Sequence, residues 1–188
     1  MTRTALALMF TTVIALGACQ KNDTASGNDT LAVDNLTVEN ADLGNGATAS
    51  TVDAAFLTEA MKGDNSEVAL GKIAQAKGST QGVKDLGTML VTDHGAHKTQ
   101  VAALAQQAGV PVTDEIMDEA KTLETKLNGL SGAAFDKAFV DAAVEDHQKD
   151  IAKYEQQAKS SDQQTAQLAQ QTLPTLRKHL DTAQSLKK

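Results

Sequence analysis

The chain is poor in aromatic residues, proline and cysteine. Of its 188 residues 3% are aromatic, none is Trp, two are Pro and one is Cys. A single Cys excludes an intrachain disulfide, and the scarcity of aromatic side chains requires an aliphatic core. Basic residues are also in the minority, with 17 Lys and Arg against 24 Asp and Glu. The net charge of −7 argues against a nucleic-acid partner, because such proteins need clustered positive charge.

Residues 1–18 have the pattern of a bacterial export signal. Arg3 is the only charged residue, and the apolar run after it is shorter than the roughly 20 residues that a spanning helix needs. The sequence Leu16-Gly17-Ala18-Cys19 resembles the box at which bacterial lipoproteins are cleaved before their cysteine is acylated. An ordinary signal peptide and an uncleaved anchor are the alternatives. Acylated Cys19 would attach the chain to a membrane. An Asp directly after the cysteine would resemble a signal for retention in the inner membrane. The residue there is Gln20, which favours the outer membrane.

The composition changes twice after the signal segment. Residues 19–51 are dominated by Asn, Asp, Thr, Ser, Ala and Gly, with sparse apolar residues and no sustained period. Such a segment cannot bury enough surface to offset the entropy of ordering it, so we predict a disordered tether after Cys19. From residue 52 to 187 apolar residues recur at helical spacings of three and four. This part of the chain is therefore the predicted folded domain.

The pattern of the folded part predicts an all-α protein. Four long amphipathic segments and one short segment are separated by helix stop and start signals. These signals are Lys77-Gly78-Ser79, Gly109 with Pro111, Asn128-Gly129, and a capping box with Ser160 as the cap and Gln163 reaching back. We therefore expect a four-helix bundle in which the short helix belongs to the crossover between two hairpins.

All four histidines lie on the predicted long helices. His94 and His97 share the buried face of the second helix, His147 interrupts the apolar stripe of the fourth, and His179 lies near the stripe of the fifth. Glu67 lies at the border of the first stripe. At a rise of 1.5 Å per residue, the height mismatch is roughly 7.5 Å between Glu67 and His94 and roughly 9 Å between His147 and His179. Each hairpin is thus expected to place one such pair near the middle of the bundle.

Carboxylates and imidazoles on facing helices are the groups from which bundles build metal sites. We therefore consider a site for iron, manganese, copper or zinc formed by Glu67, His94, His147 and His179. Polar contacts that only set the register of the helices are the competing interpretation. The Glu-x-x-His signature of di-iron carboxylate bundles is absent, since Val91 and Val144 stand three residues before His94 and His147.

Several short motifs resemble a known family, the domain of unknown function 4142. The motifs are Gly63-Asp64-Asn65-Ser66-Glu67, Met89-Leu90-Val91-Thr92-Asp93-His94, Leu130-Ser131-Gly132-Ala133-Ala134-Phe135-Asp136, His147, and Leu173-Pro174 with His179-Leu180. The resemblance implies a ferritin-like helical bundle in an exported bacterial protein of unsettled activity. Recurrent family positions correspond to Glu67, Asp93, His94, Asp136, His147 and His179 in this chain. Asp93 and Asp136, together with His97 one helical turn after His94, are candidates for hydrogen bonds that hold the ligands in place.

Three classes of function are compatible with these patterns. The leading hypothesis is a non-enzymatic, lipid-anchored protein on the periplasmic face of a Gram-negative outer membrane, with a role in stress. The second is a metal-binding or redox protein that uses the mid-bundle histidines. The third is a module or homo-oligomer that presents a helical face to other envelope proteins, which predicts an exposed apolar patch.

Overall fold

A computed structural model describes residues 52–187, and within this range the chain is helical without strands. The helices are α1 (Ala54–Lys77), α2 (Gln81–Gln107), α3 (Asp118–Asn128), α4 (Gly132–Gln157) and α5 (Gln163–Leu186). The all-α prediction is confirmed, with four long helices and one short helix in the expected order. The predicted signal peptide over 1–18, Cys19 and the tether over 19–51 lie outside the described residues.

The long helices form two hairpins that pack against each other. Helices α1 and α2 make one hairpin, α4 and α5 make the other, and α2 lies against α5. The segment between α2 and α4 carries α3, which contacts both α1 and α4. Amide and hydroxyl groups of α1 hold this crossover in place, because Asn65 donates to the carbonyls of Thr113 and Glu115 while Ser66 accepts from the Met117 amide. A helical bundle is thus established, and its ferritin-like topology stays a prediction.

The first hairpin is closely packed at a pair of glycines. A Cβ on Gly71 would lie 2.8 Å from the carbonyl oxygen of Gly87, and a Cβ on Gly87 would lie 2.7 Å from the carbonyl oxygen of Gly71. Real Cβ atoms do not approach an oxygen so closely. The backbones of α1 and α2 can therefore meet at this level only because both residues lack a side chain.

Two of the predicted helix starts are shifted. The N-cap position of α2 is Thr80 rather than Ser79, and Thr80 makes no side-chain cap bond. The carboxylate of Asp136 instead accepts from the amides of both residues and from the Ser79 hydroxyl. Helix α5 is capped by Asp162, which accepts from the Gln164 amide, so the predicted capping box headed by Ser160 is wrong. Asp162 caps the helix because it is the residue directly before the first helical residue. Its carboxylate also accepts a hydrogen bond from the amide of Asp53, the cap of α1.

A layer of polar side chains crosses the middle of the bundle. On each long helix a buried polar residue interrupts the apolar stripe: Asp64 and Glu67 on α1, His94 and His97 on α2, His147 on α4, and His179 on α5. One apolar cluster, which includes Leu90 and Phe139, lies on the side of the Gly78 turn. Two smaller clusters, around Leu57 and Leu173, lie on the other side. Among residues 52–187 no helix combines the length and apolar character that crossing a bilayer requires.

Candidate metal centre

Three histidines from three helices converge in the polar layer. His94, His147 and His179 each offer a ring nitrogen, and these nitrogens all lie within 4.8 Å of one another. Their side chains are 5%, 1% and 0% exposed. The ring centroids of each pair are 5.2–5.7 Å apart. The structure thus brings together three of the four residues that the sequence analysis selected as ligands.

A carboxylate of α1 holds the two histidines of α2. His94 Nδ1 donates to Asp64 Oδ1 at 2.9 Å, and His97 Nδ1 donates to Asp64 Oδ2 at 2.8 Å. A carboxylate can only accept, so both rings carry their hydrogen on Nδ1. The remaining nitrogens, Nε2 of His94 and of His97, are buried and have no hydrogen-bond partner among the described residues. In a neutral ring, each of these nitrogens carries a lone pair.

The other two rings are held in the same manner by acceptors. His147 Nδ1 lies 2.9 Å from the carbonyl oxygen of Ala143, which cannot donate. His179 Nε2 lies 3.0 Å from Asp93 Oδ2. Each of these nitrogens therefore carries the hydrogen of a neutral ring. The other two nitrogens, His147 Nε2 and His179 Nδ1, are left without a hydrogen and lie only 3.1 Å apart.

Two facing lone pairs at this distance repel each other unless a cation lies between or beside them. A proton is a poor candidate at neutral pH, because burial and the neighbouring imidazoles lower the pKa of His147 to about 3. Burial also lowers the pKa of His179, against the opposing effect of Asp93. Three imidazoles with converging nitrogens, each fixed by a hydrogen bond at its other nitrogen, match the chemistry of a metal site.

Glu67 lies beside this group and is not one of the three converging donors. Its Oε1 is 3.8 Å from Nδ1 of His147, on the side of the ring that donates to Ala143. Burial raises the pKa of Glu67 well above its ordinary value, and the neighbouring carboxyl of Asp146 raises it further. The expectation that Glu67 coordinates with the histidines is therefore not met by this geometry.

The predicted supporting residues divide into two groups. Asp93 holds His179, and His97 shares Asp64 with His94. Asp136 is in a different place, because both of its carboxylate oxygens are bonded at the turn between α1 and α2. The prediction that Asp136 supports the ligands is therefore wrong. Asp136 is a hydrogen-bond acceptor that stabilises the start of α2.

Asp64 is the residue that sequence reasoning missed. It was noted only as part of the family motif, although it makes the closest carboxylate contacts to histidine in the layer. One signal could have found it. Asp64 and His94 are each fifteen residues from Ser79, the middle of the turn, so the two must face each other in an antiparallel hairpin.

The fold and the site define an all-helical bundle with a buried cluster of histidines and carboxylates. The family model of a domain of unknown function, DUF4142, matches residues 39–186, and the chain belongs to this family. The match begins within the predicted tether. It confirms the resemblance carried by the short motifs.

A solved structure has a similar fold. The crystal structure of a DUF305 fragment from Deinococcus radiodurans superimposes with a TM-score of 0.64 at 16% sequence identity. The likeness covers 74% of this chain and 95% of that one. At this identity it shows the fold alone. No curated protein matches the chain.

Proposed function

We propose that this protein binds one transition-metal ion through His94, His147 and His179. The observation that carries the proposal is the 3.1 Å approach of two ring nitrogens, in His147 and His179, whose hydrogens are both used elsewhere. If the two histidines served only to set the register of the helices, one ring nitrogen of the pair would donate a hydrogen bond to the other. A cation bound by the three lone pairs removes the repulsion and also gives the buried Nε2 of His94 a partner.

The donor set favours copper or zinc. Imidazole nitrogen suits both ions, whereas manganese prefers carboxylate oxygen, and the nearest carboxylates are occupied as hydrogen-bond acceptors. Ligand nitrogens around a tetrahedral zinc ion are about 3.3 Å apart, given bonds of about 2.05 Å. The nitrogens of His147 and His179 are already near this spacing at 3.1 Å, and separations of up to 4.8 Å would have to shorten by up to about 1.5 Å on binding.

Calorimetry on the full-length protein in detergent tests the proposal. After removal of bound metal with a chelator, Cu²⁺, Zn²⁺ and Mn²⁺ are titrated separately into the wild type and into His147→Ala and His179→Ala. We expect a single site in the wild type with copper and zinc preferred over manganese. Each histidine variant should bind at least a hundredfold more weakly.

His97→Ala is the matched control for these variants. His97 is also a buried histidine bound to Asp64, but its ring is outside the converging group. This variant should retain one site of near wild-type affinity, and circular dichroism verifies that all variants are folded. Absence of binding by the wild type, or equal losses in His97→Ala and His147→Ala, would reject the proposed site.

We further propose that the protein is anchored in the bacterial envelope through Cys19. The support is the short apolar run and the lipoprotein-like box at Leu16–Cys19, in a chain with a single cysteine. In cells grown with labelled palmitate, the wild type should carry label and sediment with outer membranes. Cys19→Ser should do neither, and a membrane-bound, unlabelled wild type would instead support an uncleaved anchor.

Binding of the metal, rather than catalysis, is the activity that we propose for the envelope protein. The docking alternative has less support on the described surface, where Val112 is the one large apolar side chain that is exposed. Homo-oligomerisation, envelope partners and a role in stress stay predictions from the sequence.

A further inference from the structure

A cavity of about 250 Å³ leads into the bundle between α1 and α4. Its walls include Phe56, Glu59 and Gly63 of α1 and Asp150 and Tyr154 of α4. Its inner end reaches Asp64 and His94. The cavity therefore extends from the surface to one of the three histidines of the proposed metal site.

The charges that line the cavity are mostly negative. Asp53, Glu59, Asp64 and Asp150 contribute carboxylates, against the single ammonium group of Lys153, which is already paired with Glu59. Low-dielectric walls that carry one sign of charge focus the field and raise the local concentration of counter-ions. The lining therefore attracts cations and repels anions.

Two polar groups along the cavity lack partners. Asp150 makes no hydrogen bond among the described residues, and burial raises the pKa of its carboxyl to about 7. His94 is 5% exposed, and its Nε2 has no hydrogen-bond partner within residues 52–187. Asp150 is half-buried and His94 is buried, so an oxygen ligand lies nearer the surface than a nitrogen ligand. This sequence of groups suits a cation that exchanges water for protein ligands in steps.

We infer that the cavity between α1 and α4 is the access path of the metal ion, with the Asp150 carboxylate as an intermediate ligand before His94. The inference rests on the proposed metal site. It adds the route by which the ion enters and the chemical form in which it enters, a hydrated transition-metal cation. It requires that loading become slower when the path is narrowed or when its carboxylate is removed. The affinity of the three histidines should change much less.

Tyr154 provides a reporter of loading. It is the only tyrosine in a chain without tryptophan, it lines the cavity, and its ring centroid is 5.8 Å from that of His97. Bound Cu²⁺ should quench its fluorescence. Stopped-flow mixing of metal-free full-length protein with Cu²⁺ at pH 8 and low salt therefore measures the loading rate, and equilibrium titration measures affinity.

Two variants test the path by different means. Gly63→Leu narrows the cavity, and at Gly63 a Cβ would meet only the Met117 methyl group at 4.0 Å, so we expect folding to be preserved. Asp150→Asn removes the charge with little change in volume. We expect each variant to load three- to tenfold more slowly, with the effect of Asp150→Asn decreasing as salt is added.

Matched controls make the same chemical changes outside the cavity. Gly95→Leu alters another helical glycine with open space around it, and Asp141→Asn removes an exposed carboxylate from α4. Both should load at the wild-type rate. Wild-type loading in Gly63→Leu or in Asp150→Asn overturns the inference, as does equal slowing in the controls. A wild type that binds no copper would instead reject the proposed function itself.

Discussion

Five consecutive residues of α1, from Gly63 to Glu67, contact different parts of the molecule. Gly63 forms a wall of the cavity and Asp64 holds two histidines of α2. Asn65 and Ser66 bind the crossover, while Glu67 lies beside His147 of α4. Because one helical turn has 3.6 residues, consecutive positions face different directions, and here each direction has its own partner.

Replacement of Asp64 by Asn should weaken metal binding although no ligand is removed. The amide replaces one acceptor oxygen by an NH₂ donor, which faces one of the two rings and favours the tautomer of that ring with its hydrogen on Nε2. When the hydrogen of His94 moves to Nε2, the lone pair that faces the ion is lost. We expect a 10- to 100-fold loss of affinity by calorimetry, the usual effect of removing such a partner.

Asp93→Asn provides the comparison for this prediction. Asp93 holds only His179 and its side chain is 30% exposed, so water can substitute in part. A smaller loss is expected there, and ¹⁵N NMR should show a changed tautomer at His94 in Asp64→Asn alone. Equal affinities of Asp64→Asn and wild type would contradict the role of this carboxylate.

The sequence indicates which histidines converge better than it indicates which carboxylates lie beside them. His94, His147 and His179 are identifiable because a polar residue in an apolar stripe is conspicuous. Glu67 and Asp64 are one helical turn apart, and the stripe cannot decide between them. Only the register of the hairpin, which depends on the position of the turn, shows that Asp64 and not Glu67 faces His94.

At the level of elements, the hairpin of α1 and α2 depends on the contact between Gly71 and Gly87. Ala is more favourable than Gly in the interior of a helix by about 1 kcal/mol. At either of these positions, however, the Cβ of Ala would overlap a backbone oxygen of the other helix. Forcing the helices apart should cost more, so we expect each variant to be destabilised by about 1–3 kcal/mol in urea unfolding. Gly95→Ala, which meets nothing within 4 Å, should instead stabilise by about 0.5–1 kcal/mol.

The turn between α1 and α2 depends on a carboxylate from α4. Burial raises the pKa of Asp136, but the hydrogen bonds from Ser79 and Thr80 outweigh this effect, and the pKa lies below its ordinary value. Asp136→Ala should cost about 2 kcal/mol, typical of hydrogen bonds to a charged group. Asp141→Ala, which removes an exposed carboxylate from the same helix, should cost much less stability.

The sign of the pH dependence follows from the lowered pKa of Asp136. The unfolded chain binds the proton first, so the contribution of Asp136 is complete above pH about 4 and is lost as the pH falls through its lowered pKa. The difference in stability between wild type and Asp136→Ala should therefore narrow below pH 4. A constant difference would show that the carboxylate acts by packing alone.

For the whole molecule, the buried His147 and the half-buried Asp150 should give opposite responses to acid. The pKa of His147 is about 3 in the folded chain and about 6.5 unfolded, so its contribution to stability is lost as the pH falls from 6.5 towards 3. The pKa of Asp150 is about 7 when folded and about 3.9 unfolded, so its contribution grows as the pH falls from 7 to 3.9.

Variants of the metal-free protein separate the two responses. Between pH 7 and pH 4, His147→Gln should lose less stability than the wild type, and Asp150→Asn should lose more. Urea unfolding at pH 7, 5.5 and 4 measures these changes. Parallel profiles for all three proteins would contradict the burial of the two groups.

The overall architecture could be predicted from the sequence because the helical period and the stop signals are local properties. Helix α5 illustrates the limit. The pattern Ser160-Ser161-Asp162-Gln163 contains several residues able to cap, and the carboxylate that does so also bonds to Asp53, which is 109 positions away. Contacts over such a separation depend on how the hairpins pack, and one-dimensional patterns do not contain that information.

The bond between Asp162 and the Asp53 amide has a mechanical consequence. Any tension on the chain before residue 52 enters the bundle at Asp53, so the first bonds under load are this one and the cap that Asp53 makes with Phe56. Phe56 in turn lies against Tyr154, with ring centroids 5.2 Å apart. A pull on that end would therefore peel α1 from the mouth of the cavity before it reached the histidines.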